Sequence, residues 1–124
     1  MKDKTPISLV LLKVPKPPEA VTSEQKQKLE EGLLLVETVL RRDLRFQDQC
    51  LRYRENALVG ILAETDEIGA KSLQKRVLGA VQQETRLKDF SLISGTATYP
   101  TDGEDIQSLL RVAESRAMGQ SQAS

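Results

Sequence analysis

The chain is 124 residues long, 39% apolar and 29% charged, with 18 basic residues balanced by 18 acidic ones. That length suits one domain around a single core, and zero net charge excludes the basic excess that non-specific nucleic-acid or membrane-surface binding requires, so neither is expected as a partner. The absence of histidine and the single cysteine, Cys50, remove the usual zinc sites, His-based triads and any internal disulfide.

Cys50 itself reads as a small packed residue, because no histidine is present to activate it. The first apolar run, Ile7 to Leu12, is too short to span a bilayer and lacks a signal-peptide layout, so a cytoplasmic location is expected. Its continuous apolar character is that of a strand covered on both faces. Pro15, Pro17 and Pro18 then impose a loop, since proline neither donates to a ladder nor nucleates a helix. Thr22 and Gln25 have capping-box spacing, and Leu29, Leu33, Val36 and Leu40 recur at helical spacing; together they predict an amphipathic helix over roughly 23–42 that tolerates Gly32. Gln49–Tyr53 and Ala57–Leu62 flank a short polar segment and predict a β-hairpin, although no Asn-Gly marks its turn. Thr65 or Asp66 is placed to cap a second helix, with Ile68, Leu73, Val77, Ala80 and Val81 as its inner face. Phe90 to Tyr99 reads as a strand, Pro100 to Gly103 as a turn, and Ile106, Leu109, Leu110, Ala113 and Ala117 as the inner face of a last helix. Met118 is expected to fill the core, and the small polar residues of 118–124 to form a frayed tail. The order strand, helix, hairpin, helix, strand, helix gives a single α/β layered domain over 1–124.

Three stretches carry a family resemblance. They are Ser94-Gly95-Thr96-Ala97-Thr98-Tyr99-Pro100-Thr101-Asp102-Gly103 with Leu109-Leu110 and Ala113-Glu114, then Leu62-Ala63-Glu64-Thr65-Asp66, and Arg45-Phe46-Gln47-Asp48 with Arg52-Tyr53. In this order they resemble the words S-I-G-V-A-x-Y-P-x-D-G … L-L-x-x-A-D, L-P-x-T-D and R-x-x-D of the GGDEF domains of diguanylate cyclases. The resemblance runs from Ile7 to about Met118 and implies a nucleotidyl-cyclase-like fold, a central, mostly antiparallel sheet flanked by helices. The family's leading segment, with its D-x-L-T motif and first helix, has no counterpart in this sequence, so a fragment or shortened member is expected.

The resemblance also implies that catalysis is lost. The signature GGDEF aligns with Arg54, Glu55, Asn56, Ala57 and Leu58: bulky side chains replace glycines that let the backbone approach GTP, and Asn56 and Ala57 replace acids. The second metal-binding Asp of the family aligns with Lys13, whose charge repels the magnesium that two-metal phosphoryl transfer needs. The phosphate-gripping Lys and guanine-reading Asn align with Pro18 and Val21, and a later lysine with Ser121. Glu30 stands where a guanine-reading Asp is expected, but a lone acid on a polar helix face is more often solvated surface. No catalytic residue, metal or cofactor is therefore expected.

Arg45 and Asp48 stand at R-x-x-D spacing upstream of the signature, and Arg76 aligns with a third position on the following helix. The resemblance makes these three the ligands of cyclic di-GMP, guanidinium groups meeting phosphates or a guanine edge and the carboxylate meeting guanine N–H groups. On residues alone such a pair is usually a surface ion pair worth little, and an Arg on an amphipathic helix is usually just solvated. Tyr53 and Phe46 offer stacking surfaces, with strand or edge packing the plainer expectation. The leading expectation is thus a catalytically inactive cyclic di-GMP receptor, able to form a ligand-linked homodimer; its alternative is a protein-interaction or scaffold domain in a bacterial signalling protein, with a protein partner or fused signalling domains. GTP binding without turnover is disfavoured by Lys13 and Pro18.

Overall fold

A computed structural model describes residues 5–15, 22–87 and 91–122, the last three without side chains. Its elements are β1 (Ile7–Lys13), α1 (Ser23–Asp43), β2 (Gln49–Tyr53), β3 (Ala57–Leu62), α2 (Glu67–Gln83), a 3₁₀ turn (Thr85–Leu87), β4 (Ile93–Tyr99) and α3 (Ile106–Gln122). The strands form one sheet in the order β2-β3-β1-β4, every neighbouring pair antiparallel. Up to β4 this is the split β-α-β-β-α-β arrangement; α3 is added on the opposite face from α1 and α2.

Pleating sorts the side chains of β1 between two cores. Val10 and Leu12 join Leu58 and Leu62 beneath Leu33, Val36 and Leu40 of α1 and Leu73, Val77 and Val81 of α2. Leu9 and Leu11 join Ala57, Val59, Ala97 and Tyr99 against Leu109, Ala113 and Ala117 of α3. Hence the nearly continuous apolar run 8–12: both faces of the strand are buried. The one polar member, Ser8, donates to the Thr65 carbonyl at 2.7 Å and shares a 2.9 Å bond with the Thr98 hydroxyl. All backbone pairing of β1, to β3 on one side and β4 on the other, is thereby kept in a dry interior.

The helix starts follow their caps. Thr22 and Gln25 form both bonds of the capping box, and Asp66, not Thr65, caps α2 by accepting from the Gly69 N–H at 2.9 Å. Four side-chain expectations are corrected. Ile68 is 80% exposed, because the buried positions of α2, Ala70, Leu73, Val77 and Val81, define a face from which residue 68 is turned well over a right angle. Met118 is 44% exposed beside the buried Ala117, Ile106 is 47% exposed at the start of α3, and Phe46 is fully exposed in the turn after α1. Phe90 lies outside the described residues, and the last strand begins at Ile93.

α3 lies so close to β4 that the contact depends on one missing side chain. A Cβ at Gly95 would come within 2.0 Å of the Ala113 carbonyl oxygen and 2.8 Å of the Ala117 nitrogen, both rigid helix backbone. Gly79, inside α2, has nothing within 4 Å of such a Cβ. Gly95→Ala is accordingly expected to destabilise the protein by about 3 kcal/mol through forced separation of helix and sheet, whereas Gly79→Ala should stabilise it by up to about 1 kcal/mol through helix propensity. Urea denaturation of the two variants checks both signs.

Candidate functional site

The first group of interest gathers where β1 ends beside the hairpin turn. Lys13 closes β1 and points to the α3 face, where its Nζ lies 2.9 Å from Glu114 Oε2; both side chains are mostly buried. Arg54, in the turn, reaches the other Glu114 oxygen at 3.9 Å and lies over the Tyr53 ring at 5.0 Å. Asn56 is buried and bridges to the strand end at two points: its backbone carbonyl accepts from Val14 N–H at 2.9 Å, and its side-chain Nδ2 donates to the Val14 carbonyl at 2.5 Å. Where the resemblance puts metal-binding acids, the chain thus presents an ammonium group and an amide whose donor is committed to the backbone. Magnesium is held through oxygen, usually by one or two carboxylates, and here the one nearby carboxylate, Glu114, is paired with Lys13; among the described residues no three acids, cysteines or histidines gather to hold a metal. These side chains do not fit one.

Arg54 adopts φ 61°, the left-handed region that glycine enters freely and other L-residues enter at a cost of about 1–2 kcal/mol. The resemblance places the first signature glycine at this residue, so the turn still bends as a glycine would bend it. Glu30, aligned with a guanine-reading acid, is held by Arg52 through two 2.9 Å bonds, and that guanidinium draws its carboxyl below the ordinary carboxylate range. In the sequence, Glu114 is marked only by its place in a family word. Its charge, opposite to that of Lys13, was the signal that could have paired them. Pro18 and Val21 lie outside the described residues, as does the side chain of Ser121.

The second group lies at the other end of the hairpin. Arg45 meets Asp48 side to side, Nε to Oδ2 and Nη2 to Oδ1, each at 3.1 Å. Asp48 also accepts from the Arg45 backbone N–H at 2.9 Å and from the Ala63 N–H at 3.0 Å, while Arg45 Nη2 donates onward to the Ala63 carbonyl and to Thr65 Oγ1. The pair therefore ties the turn after α1 to the turn before α2. A carboxylate offers about four acceptor positions, and Asp48, its side chain only 3% exposed, has all of them filled. Burial would raise its carboxyl, but the Arg45 guanidinium and the two backbone donors outweigh that and hold it below the usual range. Arg76 stands on α2, its Nε 3.6 Å from Asp43 and its Nη1 2.9 Å from Ser72 Oγ. It makes no bond to Arg45 or Asp48, but its acid partner precedes Arg45 by two positions on the chain.

This fold is that of GGDEF domains. The GGDEF domain of PA1120 (YfiN or TpbB) from Pseudomonas aeruginosa superposes with a TM-score of 0.81 at 18% identity, over 99% of this chain and 80% of that one. The active GGEEF domain of a diguanylate cyclase from Vibrio cholerae gives 0.78 at 14%, over 96% and 78%. Diguanylate cyclase SiaD from P. aeruginosa, solved in complex with its activator SiaC, gives 0.74 at 15%, over 98% of this chain and 48% of that one. The sequence matches no family model and no curated protein. At these identities the likeness establishes the fold, a four-stranded antiparallel sheet flanked by helices, and leaves the chemistry to the side chains.

Two measurements check the side-chain roles. Asn56→Asp removes the donor to the Val14 carbonyl and sets a charge against it, so a loss of about 1–3 kcal/mol at neutral pH is expected by urea denaturation. For Asp48 the sign follows from its lowered folded pKa: the stabilisation is present above the unfolded value of about 3.9 and is lost as pH falls through the folded value. Between about pH 5 and pH 2 the parent chain should therefore lose more stability than Asp48→Asn, which starts weaker at neutral pH.

Proposed function

We propose that this chain is a catalytically silent domain of the diguanylate-cyclase fold, working by recognition in a bacterial signalling protein. The observation that carries this reading is the Lys13–Glu114 ion pair at 2.9 Å. A cation and its counter-acid occupy the place where the resemblance requires metal-binding oxygen, and the substitution is integrated into the packing of α3 on β1. Asn56 supports it, since a neutral amide stands in place of an acid and its Nδ2 is committed to the Val14 carbonyl.

The recognition surface we propose is the Arg45–Asp48–Arg76 edge, with cyclic di-GMP as ligand. Arg45 and Arg76 are about half exposed and supply guanidinium groups to the phosphates, while Asp48 fixes the orientation of Arg45 from behind. Docking of a protein partner is the second reading. It is favoured by the filled acceptor positions of Asp48, which leave none for a guanine edge, and by the fully exposed Phe46 next to Arg45; exposed aromatic and arginine side chains are the usual anchors of protein interfaces.

Isothermal calorimetry with cyclic di-GMP separates the two. Binding heat in the parent chain, with affinity lowered by about tenfold or more in Arg45→Ala and in Arg76→Ala, is the result expected of the nucleotide reading. No heat at tens of micromolar ligand rejects that reading in favour of docking. Incubation with GTP and magnesium should yield no cyclic product by chromatography, and any turnover overturns the catalytic half.

A further inference from the structure

The two edges of the sheet are treated differently. In an antiparallel ladder each residue directs both backbone groups to the same side, alternating along the strand. The Ala63 N–H bonds Asp48 and the Asn56 carbonyl accepts from Val14, so Ala57, Val59 and Ile61 turn their backbone groups toward β2. Their partners Tyr53, Leu51 and Gln49 turn theirs back toward β3. The N–H and C=O of Cys50 and Arg52 consequently point out of the sheet, and among the described residues nothing bonds them.

On β4 the outward residues are Ser94, Thr96 and Thr98, by the same alternation. There Asp102 accepts from the Thr98 N–H at 2.9 Å and its own N–H donates to the Thr98 carbonyl at 2.7 Å. Arg116 donates to the Thr96 carbonyl at 3.0 Å while held by Asp102. Asp102 and Arg116 thus hold three of the six outward groups of β4. On β2 none of the four is held by a described residue, and an open edge is a template for another strand.

We infer that β2 is the seam of a two-fold dimer, and that the strand it accepts is β2 of a second copy. The free groups, on Cys50 and Arg52, are symmetric about Leu51. Antiparallel self-pairing with Leu51 on the axis joins Cys50 of each copy to Arg52 of the other and satisfies all four outward groups of each pair with no residue left over. Centring on Arg52 instead would set two arginines opposite each other, which is unfavourable. Centring on Cys50 would draw in Asp48, whose N–H already bonds the Arg45 carbonyl. In the favoured register Leu51, about half exposed on the α3 face, meets its own copy beside Tyr53 and Ile106. The chain carries no net charge, so no long-range repulsion opposes the encounter.

Sedimentation equilibrium on the full chain tests this. A seam this small should give a dimer with a dissociation constant of about 10 μM to 1 mM. Arg52→Pro deletes an N–H that the β2–β3 ladder does not use, removing two bonds per dimer, and should weaken association about tenfold or more. Arg52→Ala keeps the N–H and should associate as the parent does. Circular dichroism establishes that each variant is folded. Independently, Leu51→Cys in a Cys50→Ser background should oxidise to a covalent dimer, since residues opposed at a non-hydrogen-bonded pair lie about 4.5 Å apart at Cα, within disulfide reach. A monomer throughout that concentration range overturns the proposal. So does a dimer that neither responds to Arg52→Pro nor crosslinks at residue 51.

Discussion

Burial of β1 on both faces is the constraint from which the rest of the molecule follows. A strand with no solvent side must have a neighbour for every backbone group, and β3 and β4 supply them in antiparallel register. It must also be covered twice: α1 and α2 take one face, and α3 takes the other. The close seat of α3 at Gly95 serves the same end. A helix held further out would leave Leu9 and Leu11 facing a gap, with the loss of contact that voids impose.

The same strand delivers Lys13 to the point where β1, the hairpin turn and α3 meet. A charged group at the end of a fully buried strand cannot be left alone there, because desolvation without a partner is costly. Glu114 supplies the opposite charge from α3, and Arg54 adds a second cation on the exposed side. The arrangement is self-consistent with no metal: one acid stands between two bases, and Asn56 is neutral. Replacing the lysine alone by an acid would leave like charges facing each other across the strand end, with Arg54 alone to balance them.

Most of the architecture was legible because its signals are local. The apolar run of β1, the Thr22–Gln25 box and the helical spacing of α1 and α3 each appear in a short window. Ile68 and Met118 were misplaced because a helical face a few positions wide can be drawn through more than one set of apolar residues, and only the sheet beneath decides which. Phe46 was expected to pack because aromatics usually do; its place at the tip of a turn offers it nothing to pack on. The Arg45–Asp48 pair was visible as spacing, but its bonds to Ala63 and Thr65 join turns 15 to 20 residues apart, and no window of sequence carries them. The same holds for the contrast between the sheet edges, which depends on which alternate residues face outward and on Asp102 folding back onto Thr98.

That hidden connectivity changes what an R-x-x-D spacing means. Read as a ligand motif, both residues are available and both are recognition elements. In the folded chain the carboxylate is spent: it terminates the β2–β3 ladder at Ala63 and fixes the guanidinium. The two residues therefore have unequal duties, Asp48 structural and Arg45 presenting its outer edge to solvent. Such a division gives the pair a structural duty apart from any ligand. Removing the acid would unfasten the turn as well as free the arginine, so structural need alone holds the pair in place, and any ligand that uses Arg45 relies on a scaffold required for other reasons.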